Sequence, residues 1–392
     1  MSTVTRTATS DPAGRAGGHA TQRPGRARRL RGRPGFYRSY EQQLALFNTR
    51  PKQVGVAVIV ALGLLMPWVL TDPLLQTLAV AFVFAIGGLG LNIVTGLAGQ
   101  VSLGHAFFLG CGAYVAAQVG GELELPLPLW LIAAGIFGGF LGAVVGPFAL
   151  RLRGNYLAIV TLGLVFLGEH IFRNARSITG GNSGTSVNAP TDIGIFDIQN
   201  AEILGTAWSP NQAWFWVIWG LVALFALLAK NIARTRPGRA IQAVRDRDVA
   251  AEVVGVRLGT YKVGAFALSS ALAAMAGALF GAYQQFVSPE EWNLFLSIQY
   301  IAIIIVGGVG TIFGSILGAL FLGGLPALIE KYSGSIPGVQ TSAGDSGFIS
   351  VFSFNQAIFG LLIVAFLVFE PRGLAAIWLR VKAYFKAWPF SY

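Results

Sequence analysis

Apolar side chains in this chain seldom alternate with polar ones; they arrive in nearly unbroken runs. A hydrocarbon core about 30 Å thick is crossed by ~20 such residues in a helix. Counting on that basis predicts ten inserted segments, near 54–71, 74–94, 103–120, 129–150, 155–172, 213–229, 263–284, 295–310, 313–330 and 354–369. The expected fold is therefore all-α: a polytopic membrane protein of about ten transmembrane helices. An even number of crossings puts both termini on one side. The runs at 103–120, 295–310 and 313–330 are the shortest or most interrupted by glycine.

Composition agrees. Of the 392 residues 54% are apolar and only 11% charged, with a mean hydropathy of +0.63. Soluble globular domains carry roughly 25% charged residues, so there is too little polar side chain here to clothe a water-facing surface. The net charge of +11 would suit nucleic acid, but its position does not. Residues 1–52 hold 11 Lys and Arg against Asp11 and Glu41, which reads as a basic tail beside anionic lipid, with no nucleic-acid partner. Nine glycines and prolines from Pro12 to Gly35 break the amphipathic helix of a transit peptide, and no apolar run before residue 54 suits a signal peptide. The segment 1–52 is expected to be a disordered cytoplasmic tail, followed by a membrane body over 53–374 and a second cytoplasmic tail, 375–392. With the amino terminus inside, the pieces 1–52, Arg151/Arg153, 230–262 and 370–392 hold 25 of the 28 Lys and Arg. Basic residues resist translocation, so the amino and carboxyl termini are both expected in the cytoplasm.

Little in the chain suits covalent chemistry. Cys111 is the single cysteine, and His19, His105 and His170 match no metal-ligand spacing. Glu169 and His170 read as a satisfied pair at a span end. No bound cofactor or metal and no enzymatic activity are expected. Three segments carry the polar information instead. In GLNIVTGLAGQVSLGHAFFLGCGAY (90–114), Asn92, Gln100, Ser102 and His105 interrupt apolar sequence among Gly96, Gly99 and Gly104. Buried amides and imidazole are costly in hydrocarbon unless they meet partners or line a polar cavity. Two readings stand: a broken backbone lining a solute path, or a turn at the cytoplasmic end of two ordinary helices. GGVGTIFGSILG (307–318) is a second glycine-rich break, and its placement suggests a weak internal repeat. The candidate translocation residues are Asn92, Gly96, Gly99, Gln100, Ser102, His105, Gly308 and Gly310. The GxxxG spacings at Gly142/Gly146, Gly277/Gly281, Gly310/Gly314 and Gly314/Gly318 mostly suit close helix packing.

The third segment is the inside loop, RPGRAIQAVRDRDVAAEVVGVRLGTYK (236–262). Ile241 and Val244 share one helix face, Asp248 is placed to cap the short run that follows, and Gly255 stands where a helix stops. Ala250, Ala251, Val253 and Val254 are expected to be partly exposed, which suits a docking partner or the lipid interface.

GLAGQVSLGHAFFLGCGAY, LRLRGNYLAIVTLG (150–163), TGGNSG (179–184), RAIQAVRDRDVAAEVVGV (239–256), the 306–318 glycine segment and LVFEPRGL (367–374) occur in one consistent order. Together they resemble the M-type permease of branched-chain amino acid ABC importers, the LivM family. The resemblance covers roughly 90–374 and leaves out the first 52 residues. It implies a transport subunit in the bacterial cell membrane that pairs with a second, H-type permease, two cytoplasmic ATPase subunits binding ATP-Mg, and an extracytoplasmic binding protein. It also implies that 239–256 seats in an ATPase groove through Arg239, Arg245, Asp246, Asp248, Ala250, Ala251, Glu252 and Gly255. Arg247, between two aspartates, departs from the acidic residues common there. Importers of urea or other small amides and carboxylates share these motifs. An ion-coupled secondary transporter is the reading from another class, and it lacks the midplane carboxylate it would need.

Overall fold

The computed structural model describes residues 50–392 except 151–154, 195–196, 200, 204–205, 334–338, 341–348 and 388–392. Of the basic tail read over 1–52, all but the last three residues lie outside the described residues, as do Arg151 and Arg153. Each apolar run folds as a helix. In chain order the helices are α1 (Arg50–Val69), α2 (Asp72–Leu91), α3 (His105–Val115), α4 (Leu127–Leu150), α5 (Asn155–Asn174), α6 (Pro210–Arg234), α7 (Arg236–Asp246), α8 (Asp248–Val253), α9 (Leu258–Gln284), α10 (Leu294–Gly307), α11 (Ile312–Ser333), α12 (Val351–Phe369) and α13 (Gly373–Ala387). Seven are long and apolar enough to cross a membrane: α2 with its extension to Leu97, α4, α5, α6, α9, α11 and α12. The other three predicted segments are shorter, at Gln53–Val69, at α10 and at α3 with the π turn Ala116–Gly120 that continues it.

The inside loop is shorter than its expected 230–262, because α6 runs on to Arg234 and α9 begins at Leu258. The tail expected over 375–392 is helical as far as Ala387, and its Ala375 is buried.

α2, α3 and α9 form the centre. α9 runs against α4, α3 and α2, while α11 and α6 flank α2. α12 stands at the margin, with Phe359 its one buried residue. Small residues make the centre possible. A Cβ on Gly112 of α3 would overlap the Ala274 carbonyl of α9, and one on Gly277 of α9 would overlap the Leu109 carbonyl of α3. The two backbones touch through reciprocal glycines, and dispersion between them replaces contact with lipid tails. Gly314 and Gly318 likewise lie on Gly307 and Ile303 of α10. Gly310, by contrast, belongs to the break between α10 and α11 and has φ +81°.

The end of the bundle away from α7 and α8 is tied by short strands, Thr185–Ser186 pairing antiparallel with Phe286–Val287. There Trp68, Trp208 and Trp216 meet edge to face, with centroids 4.2–5.4 Å apart. Trp214 is buried against Tyr283.

The reciprocal glycine contact is open to test. Gly277→Val forces a side chain into the Leu109 backbone and is expected to lower the thermal unfolding midpoint in detergent, at a cost of about 1–3 kcal/mol or more. Gly264→Val, at a position with no neighbouring atom within 4 Å, is expected to leave the midpoint nearly unchanged.

Candidate functional site

α2 ends in a widened turn. Asn92–Leu97 wind as a π-helix: the Ala98 N–H reaches back to the Ile93 carbonyl (3.1 Å) and the Gln100 N–H to the Val94 carbonyl (2.9 Å). Such turns recur at functional sites because they displace backbone groups from the regular ladder. The chain then re-enters the bundle without helix and restarts at His105. The depth of that restart follows from its partners. His105 Nε2 donates to the Gly87 carbonyl at 2.9 Å, about 15 Å of helix rise before Leu97, and its ring packs 4.8 Å from that of Tyr300.

A helix that begins inside a bundle exposes N–H groups that have no partner of their own. Hydroxyls on three elements take them here. Leu103 N–H donates to Thr161 Oγ1 of α5 (2.9 Å), Gly104 N–H to Ser102 Oγ (3.3 Å), and Ala106 N–H to Ser297 Oγ of α10 (3.0 Å). Thr161 and Ser297 have no exposed surface. The 90–114 segment is therefore a broken backbone held by side chains, with Gly99 and Val101 of its turn exposed. Sequence reading passed over Thr161 and Ser297, since single hydroxyls inside apolar runs carry no signal of their own.

The second glycine break meets the first. Gly310 N–H donates to Asn92 Oδ1 at 2.7 Å, and a Cβ on Gly96 would overlap both groups. Gly308, with φ +117°, packs under the Arg372 carbonyl at the start of α13. Asn92, Gly96 and Gly310 are thus one cluster. Ser102 and His105 serve the start of α3, deeper in the bundle. Gln100 uses its backbone in the turn, and its buried side-chain oxygen has no partner among the described residues.

α7 joins this cluster. Gly238, Ile241 and Val244 face the bundle as the periodicity predicts, which carries Arg245 across the π turn. Its Nη1 donates to the Gly96 carbonyl at 2.9 Å. Its stem covers Gly99, whose φ of +69° and close contact, with a Cβ falling 2.6 Å from Arg245 Cγ, both require glycine. Asp246 Oδ1 holds the other edge of the guanidinium, 2.9 Å from Nε and 2.8 Å from Nη2. A residue singled out for coupling thus contacts residues singled out for the solute path.

The remaining residues of this segment build the helix pair. Arg239 caps the end of α6 by donating to the Arg234 carbonyl. Arg247, extended at φ −156°, is the joint between α7 and α8 and occupies the cap position expected of Asp248. Asp248 is the first helical residue, and its carboxylate accepts from Val249 N–H. Gly255 ends α8 as expected, at φ +87°, with Gly255 N–H on the Glu252 carbonyl and Val256 N–H on the Ala251 carbonyl. The exposed face differs from the expected one. Ala251 is buried, while Val249, Ala250, Glu252, Val253 and Val254 are exposed, the three valines by 71–82%. At the far end of α5, Glu169 pairs with Arg173 and His170 sits beside Asn174.

A multi-pass helical bundle interrupted by two joined glycine breaks is the build of a membrane permease. The chain belongs to the family described as "Branched-chain amino acid transport system / permease component", which matches residues 74–369. Among its relatives is the high-affinity branched-chain amino acid transport system permease protein LivM of Escherichia coli K12, 29% identical over 340 residues, 83% of this chain and 76% of that protein. LivH of Salmonella typhimurium is 25% identical over 64% of this chain and 82% of its own length. The autoinducer 2 import system permease protein LsrC of Salmonella paratyphi B is 26% identical over 67% of each. No solved structure matches the chain.

The Asn92–Gly310 bond has a measurable consequence. Asn92→Ala strands the Gly310 N–H and is expected to cost about 1–3 kcal/mol, seen as a lowered unfolding midpoint of the purified protein in detergent. Gln100→Ala removes an amide oxygen with no partner among the described residues and is expected to leave the midpoint within a degree or two.

Proposed function

We propose that this chain is the M-type permease subunit of an ATP-driven importer for branched-chain or related hydrophobic amino acids in a bacterial cell (inner) membrane. It crosses ten times with both termini in the cytoplasm, the three shorter helices α1, α3 and α10 completing the count. It forms half of the solute path beside an H-type permease, receives cargo from an extracytoplasmic binding protein, and draws its drive from two ATPase subunits that bind ATP-Mg. The relatives named for branched-chain amino acid transport support this cargo. The observation that carries the coupling reading is the Arg245–Gly96 bond, which ties α7 to both glycine breaks. Force applied to α7 and α8 reaches the broken backbone through that side chain.

The valine ridge of α8 supports an ATPase partner on that face. Exposed valines on a loop of a membrane protein need a cover, and a groove in a soluble subunit provides one. Val253→Asp together with Val254→Asp is expected to abolish co-purification with the ATPase subunits and to reduce ATP-dependent leucine uptake to background in cells lacking competing systems. Full uptake by that variant would overturn the coupling reading. Uptake of urea in place of leucine by the wild-type importer would move the cargo to the small-amide alternative.

The sidedness is tested by labelling. The buried Cys111 gives the chain a silent background. A Ser183→Cys variant in the TGGNSG loop is expected to react with an impermeant maleimide on intact spheroplasts, and Val253→Cys only after permeabilisation. The reverse pattern would invert the topology.

A further inference from the structure

Three of the six buried side-chain polar atoms without a hydrogen-bond partner among the described residues lie together: Tyr114 Oη, Glu291 Oε2 and Trp292 Nε1. They come from two elements. Tyr114 is on α3, and Glu291 and Trp292 belong to the turn that follows the Phe286–Val287 strand and leads into α10. The Trp292 ring N–H lies beside the Tyr114 hydroxyl without reaching hydrogen-bond geometry, and Glu291 is within electrostatic reach of the same hydroxyl. The Glu291 backbone N–H donates to the Ser288 carbonyl at 3.3 Å, which fixes the turn, while one carboxylate oxygen is unused. Burial pushes the Glu291 carboxyl up from its ordinary value, as expected for a charge short of partners.

Aromatic rings surround these groups. Phe172 of α5 lies 4.9 Å from the Tyr114 ring and stacks on Phe107 at 6.1 Å. Gly110, one turn before Tyr114 on the same face of α3, lets the Phe172 and Trp292 rings converge; a Cβ there would sit 2.6 Å from one and 2.8 Å from the other. The cluster lies at the end of the bundle opposite α7 and α8, next to the paired strands. Buried polar groups are nearly always paired in folded proteins, so three unpaired ones gathered around the Tyr114 hydroxyl call for a ligand to complete them.

We propose that Tyr114, Glu291 and Trp292 form a recognition site for the zwitterionic head of an α-amino acid, with Phe172 and Phe107 as the wall for its aliphatic side chain. The Glu291 carboxylate accepts from the ammonium, which the aromatic faces also attract. The phenol O–H and the indole N–H are the donors for the carboxylate. Trp292 and Tyr114 are 1% and 4% exposed, so the site is closed in this conformation and opens when the 289–292 turn moves away from α3. This inference rests on the amino acid cargo proposed above.

The test uses the complete importer, with its partner subunits and binding protein, in cells lacking other leucine uptake. Glu291→Gln and Tyr114→Phe are each expected to reduce [3H]leucine uptake by at least about tenfold. Their amounts in the membrane should match wild type, and their unfolding midpoints in detergent should not fall, because Tyr114→Phe deletes a buried hydroxyl that lacks a partner and Glu291→Gln exchanges a partly buried charge for a neutral amide of the same shape. A merely structural role would lower midpoint and uptake together, and that result overturns the site. Wild-type-like uptake by both variants also overturns it. Tyr114→Phe, which deletes one unpartnered oxygen, carries the test if Glu291→Gln does not reach the membrane. A wild-type importer that takes up no leucine overturns the cargo reading itself, which separates the two failures.

Discussion

Inside a hydrocarbon slab every backbone N–H and C=O needs a protein partner, and this constraint governs the centre of the molecule. A helix crossing in one piece meets it unaided. α3 does not cross in one piece: it begins partway through the bundle, after a stretch with no helical ladder. Thr161, Ser102 and Ser297 close that gap, and each comes from a different part of the chain. The break is therefore locked to α5 on one side and to α10 on the other. A displacement of either helix is felt at the start of α3, so an irregular backbone here is also a mechanical junction.

The same constraint explains where the glycines fall. At Gly112 and Gly277 the absence of a side chain lets two central helices touch. At Gly96, Gly99 and Gly310 it clears room for Arg245 and Asn92 to reach backbone atoms. The first kind of contact makes the core dense and resistant to deformation. The second kind places polar, directional bonds at the seam where the two breaks and α7 meet. Motion is cheaper at such a seam than in the core, since hydrogen bonds can exchange partners where interlocked backbones cannot slide.

How much of this was legible in the sequence follows from the range of each signal. Spans are encoded by continuous apolar runs, so each predicted segment coincides with a helix, and the errors lie at ends such as 258–262, where polar residues ride on a helix that has already begun. The stop at Gly255 and the buried face of Ile241 and Val244 were legible because caps and periodicity are local. Contacts across the chain were not. Nothing in the sequence places Arg245 on Gly96 or Asn92 on Gly310, which lie far apart along the chain and meet only through packing. Burial of Ala251 depends on how α8 leans against α9, and the 248–254 pattern alone does not set that tilt. The Tyr114, Glu291 and Trp292 cluster was illegible for the same reason. Glu291 reads as one more acid in an outer loop until the fold sets it against α3.

The magnitudes bear on what the Arg245 seam can do. The ion pair with Asp246 is partly exposed, with side chains 38% and 64% accessible, and such pairs contribute about 0–1 kcal/mol. Its effect is to orient the guanidinium. The bond from Nη1 to the Gly96 carbonyl joins a charged donor to backbone and is worth about 1.5–3 kcal/mol. The Asn92–Gly310 bond, between neutral groups, adds roughly 1 kcal/mol. Swinging a two-state equilibrium fully from one side to the other takes about 5.5 kcal/mol. The two bonds to backbone together therefore shift the balance by about two to three orders of magnitude, short of the roughly four of a full swing. On the coupling reading proposed above, the seam biases a change of state and the rest of the driving energy is applied to α7 and α8 by partner subunits.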